Sequence, residues 1–295
     1  GSMSIPAVPL QQLSDALTDV VVRAAQSVVA VHSTRSRFSG FLWRPGLIVA
    51  PDEVLDDEGD IVIVLPGGDI AAAKLVGRDP TTDVALLRVD HANHPPATLE
   101  SAPMAPGALV CAVGSQQGAA IAAFGAVSFV GGAWRSFRGG EIDARIELDL
   151  SLRRAGEGGL ALDAASRAFG MLVFGPRRQV LVIPAKTIER VAATLETHGK
   201  VARGYLGLGL QPTQLDGGDG IGVVVMSVDP SGPGAAAGVR QGDIIIKWND
   251  QSIHDLRALL RALGPDSVGS TVKLALRRGR EATDTRLTVR ERPET

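Results

Sequence analysis

Aromatic residues make up only 4% of this 295-residue chain, and it holds a single cysteine, Cys111. One thiol closes no disulfide within the chain, so the sequence is not a cross-linked scaffold, and the redox compartment is left open. Cys111 lies in the apolar run Leu109–Val113, where a thiol fills core space. No apolar run reaches the roughly 18 residues of a membrane-spanning helix. No basic block is present either: 30 Lys and Arg are interspersed with 32 Asp and Glu for a net charge of −2, which gives no sign of a nucleic-acid partner. Neither a cofactor nor a metal is expected. After Met3 there is no basic segment followed by an apolar one, so no signal peptide is visible. Gly1 and Ser2 read as a cloning scar. The compartment stays open: cytoplasmic if Met3 is the natural start, periplasmic or cell envelope if the chain has been trimmed.

Glycine (35) and proline (17), by contrast, are plentiful, and 45% of residues are hydrophobic. That is enough for about two ordinary domains built from short strands and turns. Leu13, Leu17, Val20, Val21 and Ala24 recur at three- and four-residue spacing, which predicts a helix from Ser14 with that serine as cap. Six strands follow, at Val28–His32, Gly40–Trp43, Leu47–Ala50, Ile61–Leu65, Ile70–Val76 and Val84–Val89, with a hairpin turn at Pro66–Asp69. After a His/Pro/Ala-rich linker a second set of six is expected, at Leu109–Val113, Ala119–Val130, Arg145–Leu150, Leu160–Leu162, Phe169–Phe174 and Gln179–Ile183. Two such sheets suggest a pair of small closed barrels, since closure removes sheet edges. An amphipathic helix over Pro184–His198 is stopped by Gly199.

From Lys200 a new unit begins. Gly238–Asp243 predicts a tight turn into a buried strand, Asp255–Leu263 a helix with Leu256, Leu259, Leu260 and Leu263 on one face, and Thr271–Arg277 a last strand. An apolar strand beside an apolar helix makes a groove where an extended peptide can add a strand.

The chain is punctuated by S-V-V-A-V at Ser27–Val31, S-G-F-L at Ser39–Leu42, G-R-D-P-T-T-D-V-A-L-L-R-V at Gly77–Val89, V-G-S-Q-Q-G at Val113–Gly118 and G-A-V-S at Gly125–Ser128. In this order the set resembles the bacterial HtrA/Deg proteases. The resemblance implies a mainly β fold: a trypsin-like double six-stranded β-barrel over residues 13–199, after a tail of residues 1–12, then a C-terminal α+β PDZ domain over residues 200–295. It also implies a place in protein quality control, homo-oligomers (trimers) or hetero-oligomers with active relatives, and peptides or protein C-termini as ligands of the PDZ groove. Tyr205, Leu206, Gly207 and Leu208 match the family's carboxylate-binding loop and ligand-pairing strand, with Leu256, Leu259 and Leu260 on the facing helix.

Departures from the family pattern fall on its chemistry. Where the family carries its general-base histidine, this chain reads A-P-D-E and places Glu53. Asp83 keeps the position of the aspartate that orients the histidine. The family's nucleophile loop reads A-G-E-G-G-L-A at Ala155–Ala161, so Glu157 replaces the serine, and Ala155, Gly156 and Glu157 form the former oxyanion loop. Without an imidazole to take and return a proton, serine-protease acyl transfer has no route. The reading is a pseudoprotease that binds rather than cuts. The alternative is a hydrolase of another class, or a metal-binding protein, that uses the carboxylate cluster Glu53, Asp83 and Glu157. A carboxylate at position 157 could also rest in the loop's own glycine nest, through positive φ at Gly156, Gly158 and Gly159. The acidic run Asp52, Asp56, Asp57, Glu58 and Asp60 reads as a solvated face with some capacity for Ca²⁺.

Overall fold

The computed structural model describes residues 7–293 except 91, 137, 219 and 254. His91 and His254, read from the sequence as surface residues, lie outside the described set. The chain divides into two compact units, Gly1–Ser136 with Glu141–Lys200, and Val201–Thr295 with Phe137–Gly140.

The first unit opens with α1 (Ala7–Ala25), a longer helix than the apolar spacing predicts. Ser14 is not its cap. It lies inside the helix, where its carbonyl accepts from the Thr18 hydroxyl at 3.0 Å, and Gln11 and Asp15 are joined one turn apart. Strands β1 (Val28–His32), β2 (Arg37–Arg44), β3 (Leu47–Ala50), β4 (Ile61–Val64), β5 (Ile70–Asp79) and β6 (Val84–Val89) close a barrel in the order β1-β2-β3-β6-β5-β4. β2 runs past its apolar centre because pairing, not hydropathy, sets its end: His32 faces Arg37 across the β1–β2 ladder. The predicted turn at Pro66–Asp69 forms, closed by Leu65 N–H donating to the Asp69 carbonyl at 2.8 Å, with Gly67 and Gly68 both at positive φ.

A second barrel takes β7 (Leu109–Gln116), β8 (Ala119–Gly131), β11 (Arg145–Asp149), β12 (Leu160–Asp163), β13 (Ala168–Phe174) and β14 (Val180–Pro184), in the order β11-β14-β13-β12-β7-β8. Between β8 and β11 a small ribbon of β9 (Trp134–Arg135) and β10 (Glu141–Ile142) projects; two-residue strands carry no periodic signal, so the sequence does not announce them. Each barrel has its own core, around Val29, Leu42, Ile48, Ile63 and Leu87 in the first and Val110, Ala161, Phe169, Leu172 and Val182 in the second. Cys111 is buried between β-strand neighbours, and burial pushes its thiol up to about 11, so it stays a thiol at neutral pH. α2 (Ala185–His198) buries Ile188, Val191 and Leu195 and ends where Gly199 turns left-handed.

The second unit pairs β15 (Gly204–Tyr205) with the chain-terminal β22 (Arg290–Glu291). Beside that pair lies a sheet of β16 (Leu208–Gln214), β17 (Ile221–Val228), β18 (Ile244–Trp248), β20 (Thr271–Arg278) and β21 (Glu281–Thr288), in that order, with β19 (Gln251–Ser252) attached to β18. Helices α3 (Pro233–Ala236) and α4 (Leu256–Ala262) complete it. Two expectations need correcting. Thr271–Arg277 is not the last strand, because β21 and β22 follow; β21 alternates polar residues on a sheet edge and fully buries only Leu287. β18 is half-buried rather than buried, with Ile245 alone fully enclosed.

Candidate functional site

The sequence-predicted residues Glu53, Asp83 and Glu157 come near one another from three connections, Glu53 and Glu157 lining one cleft and Asp83 lying beside Glu53. Glu53 follows β3 and is exposed, and its backbone N–H donates to Asp83 Oδ1 at 2.7 Å. Asp83 ends the β5–β6 turn. Asp79, four residues earlier, braces that turn by accepting from Thr81 N–H and from the hydroxyls of Thr81 and Thr82, at 3.1, 2.6 and 2.7 Å. The two aspartates of the G-R-D-P-T-T-D motif thus divide the labour: the first shapes the turn, and the second is presented by it. Asp83 sits at φ 61°, a left-handed conformation that Asp and Asn tolerate better than most residues. Desolvation is the largest influence on its carboxyl; with the charges of Glu157, Glu53 and Asp52 it raises the pKa to about 7, against the opposing Glu53 N–H.

Glu157 is held differently. The Arg154–Gly156 segment is one 3₁₀ turn in which Gly156 N–H donates to the Arg153 carbonyl at 2.9 Å and Glu157 N–H to the Arg154 carbonyl at 3.2 Å. Gly158 N–H goes to Leu172 and Gly159 N–H to Gly156, at 2.7 and 3.0 Å. These four N–H groups are thus committed to backbone carbonyls, and the expected nest around the carboxylate does not form. Of the three glycines only Gly158 has positive φ; Gly159 is needed because a Cβ would collide with the Val113 carbonyl, whereas at Gly156 it would meet the end of the Leu152 side chain. The Glu157 side chain turns the other way, and Oε1 accepts from Phe174 N–H at 3.3 Å. Glu157 is only 6% exposed, and burial, more than the neighbouring Glu53, pushes its carboxyl up, against the Phe174 N–H and the charges of Arg154 and Arg178.

Glu53 and Glu157 line a cleft of about 500 Å³ that also carries four arginines, Arg35, Arg37, Arg154 and Arg178. The sequence reading passed over these arginines. They lie far apart in the chain with no common spacing, and only the packing of the two barrels gathers them. No group of three acidic, His or Cys side chains that could hold a metal occurs among the described residues. The acidic run is a solvated face in part: Asp57, Glu58 and Asp60 are exposed, whereas Asp52 is buried. Arg78 forms ion pairs with Asp52 and with Asp57, and donates to the carbonyls of Asp52 and Leu55, while Asp56 accepts from Ser33 and from Arg35 N–H.

In the second unit β16 is an edge strand, paired on one side with β17. Leu208 begins it, and Gly207 precedes it at φ 68°, where a Cβ would press on Gly232. Among the described residues the N–H groups of Leu206 and Gly207 meet no carbonyl partner. Tyr205 directs its hydroxyl to Asp229 at 2.8 Å, and Leu206 is buried in the core rather than lining a groove. On α4 the apolar face is split: Leu259 is buried, Leu256 packs against the core, and Leu260 is 40% exposed. Asp255 caps this helix by accepting from Ala258 N–H at 2.7 Å.

Residues 38–171 match the trypsin-like peptidase domain family, and residues 204–289 the PDZ domain family. A "probable periplasmic serine endoprotease DegP-like" of Bartonella henselae is 32% identical over 250 residues, 80% of this chain and 49% of that protein. A protein of the same description from Halomonas elongata is 30% identical over 275 residues, 88% of this chain and 57% of that one. Among solved structures, the serine endoprotease from Yersinia pestis superposes with a TM-score of 0.71 at 26% identity, covering 94% of this chain and 98% of its own. The chain belongs to the HtrA/Deg family. It spans about half the length of the curated relatives it matches. An HtrA-type protease, AlgW, with a bound decapeptide shares the fold at 23% identity and a TM-score of 0.72, with 95% of this chain and 99% of that one covered. As an HtrA/Deg member the chain thus has its barrels and PDZ unit in family order, with glutamates at two positions of the cleft.

Proposed function

We propose that this HtrA/Deg member is a pseudoprotease: residues 13–199 keep the peptidase fold without its chemistry, and the PDZ domain over residues 200–295 binds peptides or protein C-termini in scaffolding, regulation or quality control. The observation that carries the reading is the state of the cleft. Glu53 replaces the proton-shuttling histidine and Glu157 replaces the nucleophile, and the N–H of Glu157, which at the nucleophile's position would face an oxyanion, is bonded to the Arg154 carbonyl. Position 53 lacks the imidazole that takes and returns the proton of an acyl transfer, and a hole that has lost one of its two donors stabilises a tetrahedral intermediate poorly. For the PDZ domain, the edge position of β16 and the N–H groups of Leu206 and Gly207 support capture of a terminal carboxylate, with Leu208 pairing the ligand and Tyr205, Leu256, Leu259 and Leu260 shaping its surroundings. Trimers, or hetero-oligomers with active relatives, are part of the same proposal.

The raised carboxyls of Asp83 and Glu157 favour one second reading, a hydrolase of another class that uses Glu53, Asp83 and Glu157, since a protonated carboxyl beside an ionised one is an acid–base pair. One experiment separates the two. Unfolded casein, incubated with the chain with and without divalent cations, should remain intact. Cleavage that disappears in Glu157→Gln would sink the pseudoprotease reading. The double variant Glu53→His, Glu157→Ser is expected to stay slow, because restoring the side chains does not free the N–H of residue 157 from the Arg154 carbonyl.

A further inference from the structure

We infer that the cleft between the two barrels recognises an acidic peptide segment, whose carboxylates are taken up by the guanidinium groups of Arg154 and Arg178 with Arg35 assisting. Six arginines elsewhere in the molecule are matched. Arg44, Arg78, Arg145, Arg167, Arg190 and Arg278 each meet a carboxylate within ion-pair distance. Among the described residues, Arg35, Arg154 and Arg178 meet none at that distance, although Glu157 feels the charges of Arg154 and Arg178, and Asp56 that of Arg35. Arg37 is directed to His32 Nδ1 at 2.7 Å instead. Four cations against two carboxylates, one of them buried and only 6% exposed, leave the cleft net positive.

Arg178 is held in place at some expense. It stacks on the Phe174 ring at 4.9 Å, in a tight turn closed by Gly175 N–H donating to the Gln179 carbonyl at 2.7 Å. Two consecutive non-glycine residues in that turn, Arg177 and Arg178, are left-handed, at φ 57° and 60°. Strain of this kind gathers at sites that bind.

Ligand class follows from placement. Arg35 precedes β2, Arg154 belongs to the loop before β12 and Arg178 to the β13–β14 turn, so the cations come from both barrels, with apolar surface from Val54 and Phe174 among them. A single small anion would engage only part of this set. An extended chain with several carboxylates on short aliphatic stems can engage all of it, through charge-assisted and forked hydrogen bonds. The cavity volume of about 500 Å³ lies in the range of ligand clefts.

This inference concerns a different unit from the PDZ groove and does not require that the cleft be unable to cut. The test uses the whole chain and an N-terminally fluorescein-labelled peptide of alternating Glu and Ala, amidated at its C-terminus so that no terminal carboxylate takes part. Fluorescence anisotropy should show saturable binding, weakened about tenfold or more in Arg154→Gln/Arg178→Gln and in the corresponding double Glu variant. Arg88→Glu, at an exposed arginine of β6 outside the cleft, should bind as the parent does. A Lys/Ala peptide should not bind. Equal affinity in the parent and both double variants would remove the site. Displacement by glutarate at the same concentration as by unlabelled peptide would overturn the peptide assignment, leaving a site for free carboxylates. Peptide mass after incubation keeps the two proposals apart: intact peptide agrees with both, whereas cleavage at a cleft that still binds overturns the pseudoprotease reading alone.

Discussion

Asp83 carries the largest electrostatic tension among the cleft residues. Its ordinary value of 3.8 is raised to about 7, first by desolvation and then by the surrounding carboxylates. A folded-state pKa above the unfolded one means that the native protein binds the extra proton: the associated stability is fully present below about pH 4 and is lost as pH rises through about 7. Glu157, also raised, acts in the same direction. Asp83→Asn should therefore stabilise the protein by on the order of 2 kcal/mol near pH 8, change it little near pH 4, and flatten the profile between. Asparagine suits the left-handed backbone and keeps an acceptor for Glu53 N–H. Urea unfolding across that range checks it, and an unchanged slope would show that Asp83 is ionised without penalty. The position of Asp83 was legible from its motif. Its protonation was not, because the charges around it come from residues 52, 53 and 157.

At the scale of elements, the cleft loop is locked by a neighbour rather than by its own sequence. The buried Ser39 hydroxyl of β2 donates to the Ala155 carbonyl at 2.6 Å and accepts from Ser115 N–H of β7 at 2.9 Å, while Ser39 N–H donates to the Glu157 carbonyl at 2.7 Å. One side chain joins both barrels and the loop. Ser39→Ala should leave a buried N–H and a buried carbonyl without that partner and cost about 1–3 kcal/mol. Thermal unfolding of the variant measures it; a midpoint equal to the parent's would mean that water replaces the hydroxyl. Most strands could be read from apolar runs because each contributes a continuous buried stretch to a barrel core. Elements with little or no buried stretch were missed, among them β9, β10, β19, β21 and β22. The opening of α1 was missed as well, since Val8 and Leu10 are 63% and 68% exposed and contribute nothing to the core-facing period.

For the whole molecule, exposed apolar residues bear on assembly. Val8, Leu10, Leu13 and Val22 of α1 and Phe124 and Phe129 of β8 stand more than two-fifths exposed. Among the described residues no helix is long and apolar enough to cross a membrane. Exposed apolar residues of this kind are a feature of protein–protein contacts, and the oligomer proposal assigns them to one. Light scattering should give a mass above the 30.7 kDa of one chain, near three chains for the trimer implied by family resemblance. A concentration-independent monomer would end the oligomer proposal. The sequence by itself determined the order of the parts, two six-stranded blocks and then a separate unit, because runs of apolar residues and turn glycines are local signals, and its motifs carried the resemblance that named that unit a PDZ domain. It also determined the replacement of histidine and serine by Glu53 and Glu157, since a residue type is read directly. Tertiary structure alone decided what those glutamates do. Only packing aimed Glu157 at Phe174 rather than into a nest, committed the N–H groups of residues 156 to 159 to backbone carbonyls, tied Asp52 and Asp57 to Arg78 and gathered arginines from positions 35, 37, 154 and 178. Long-range electrostatics and hydrogen-bond direction depend on which distant residues become neighbours, and no local pattern in a chain records that.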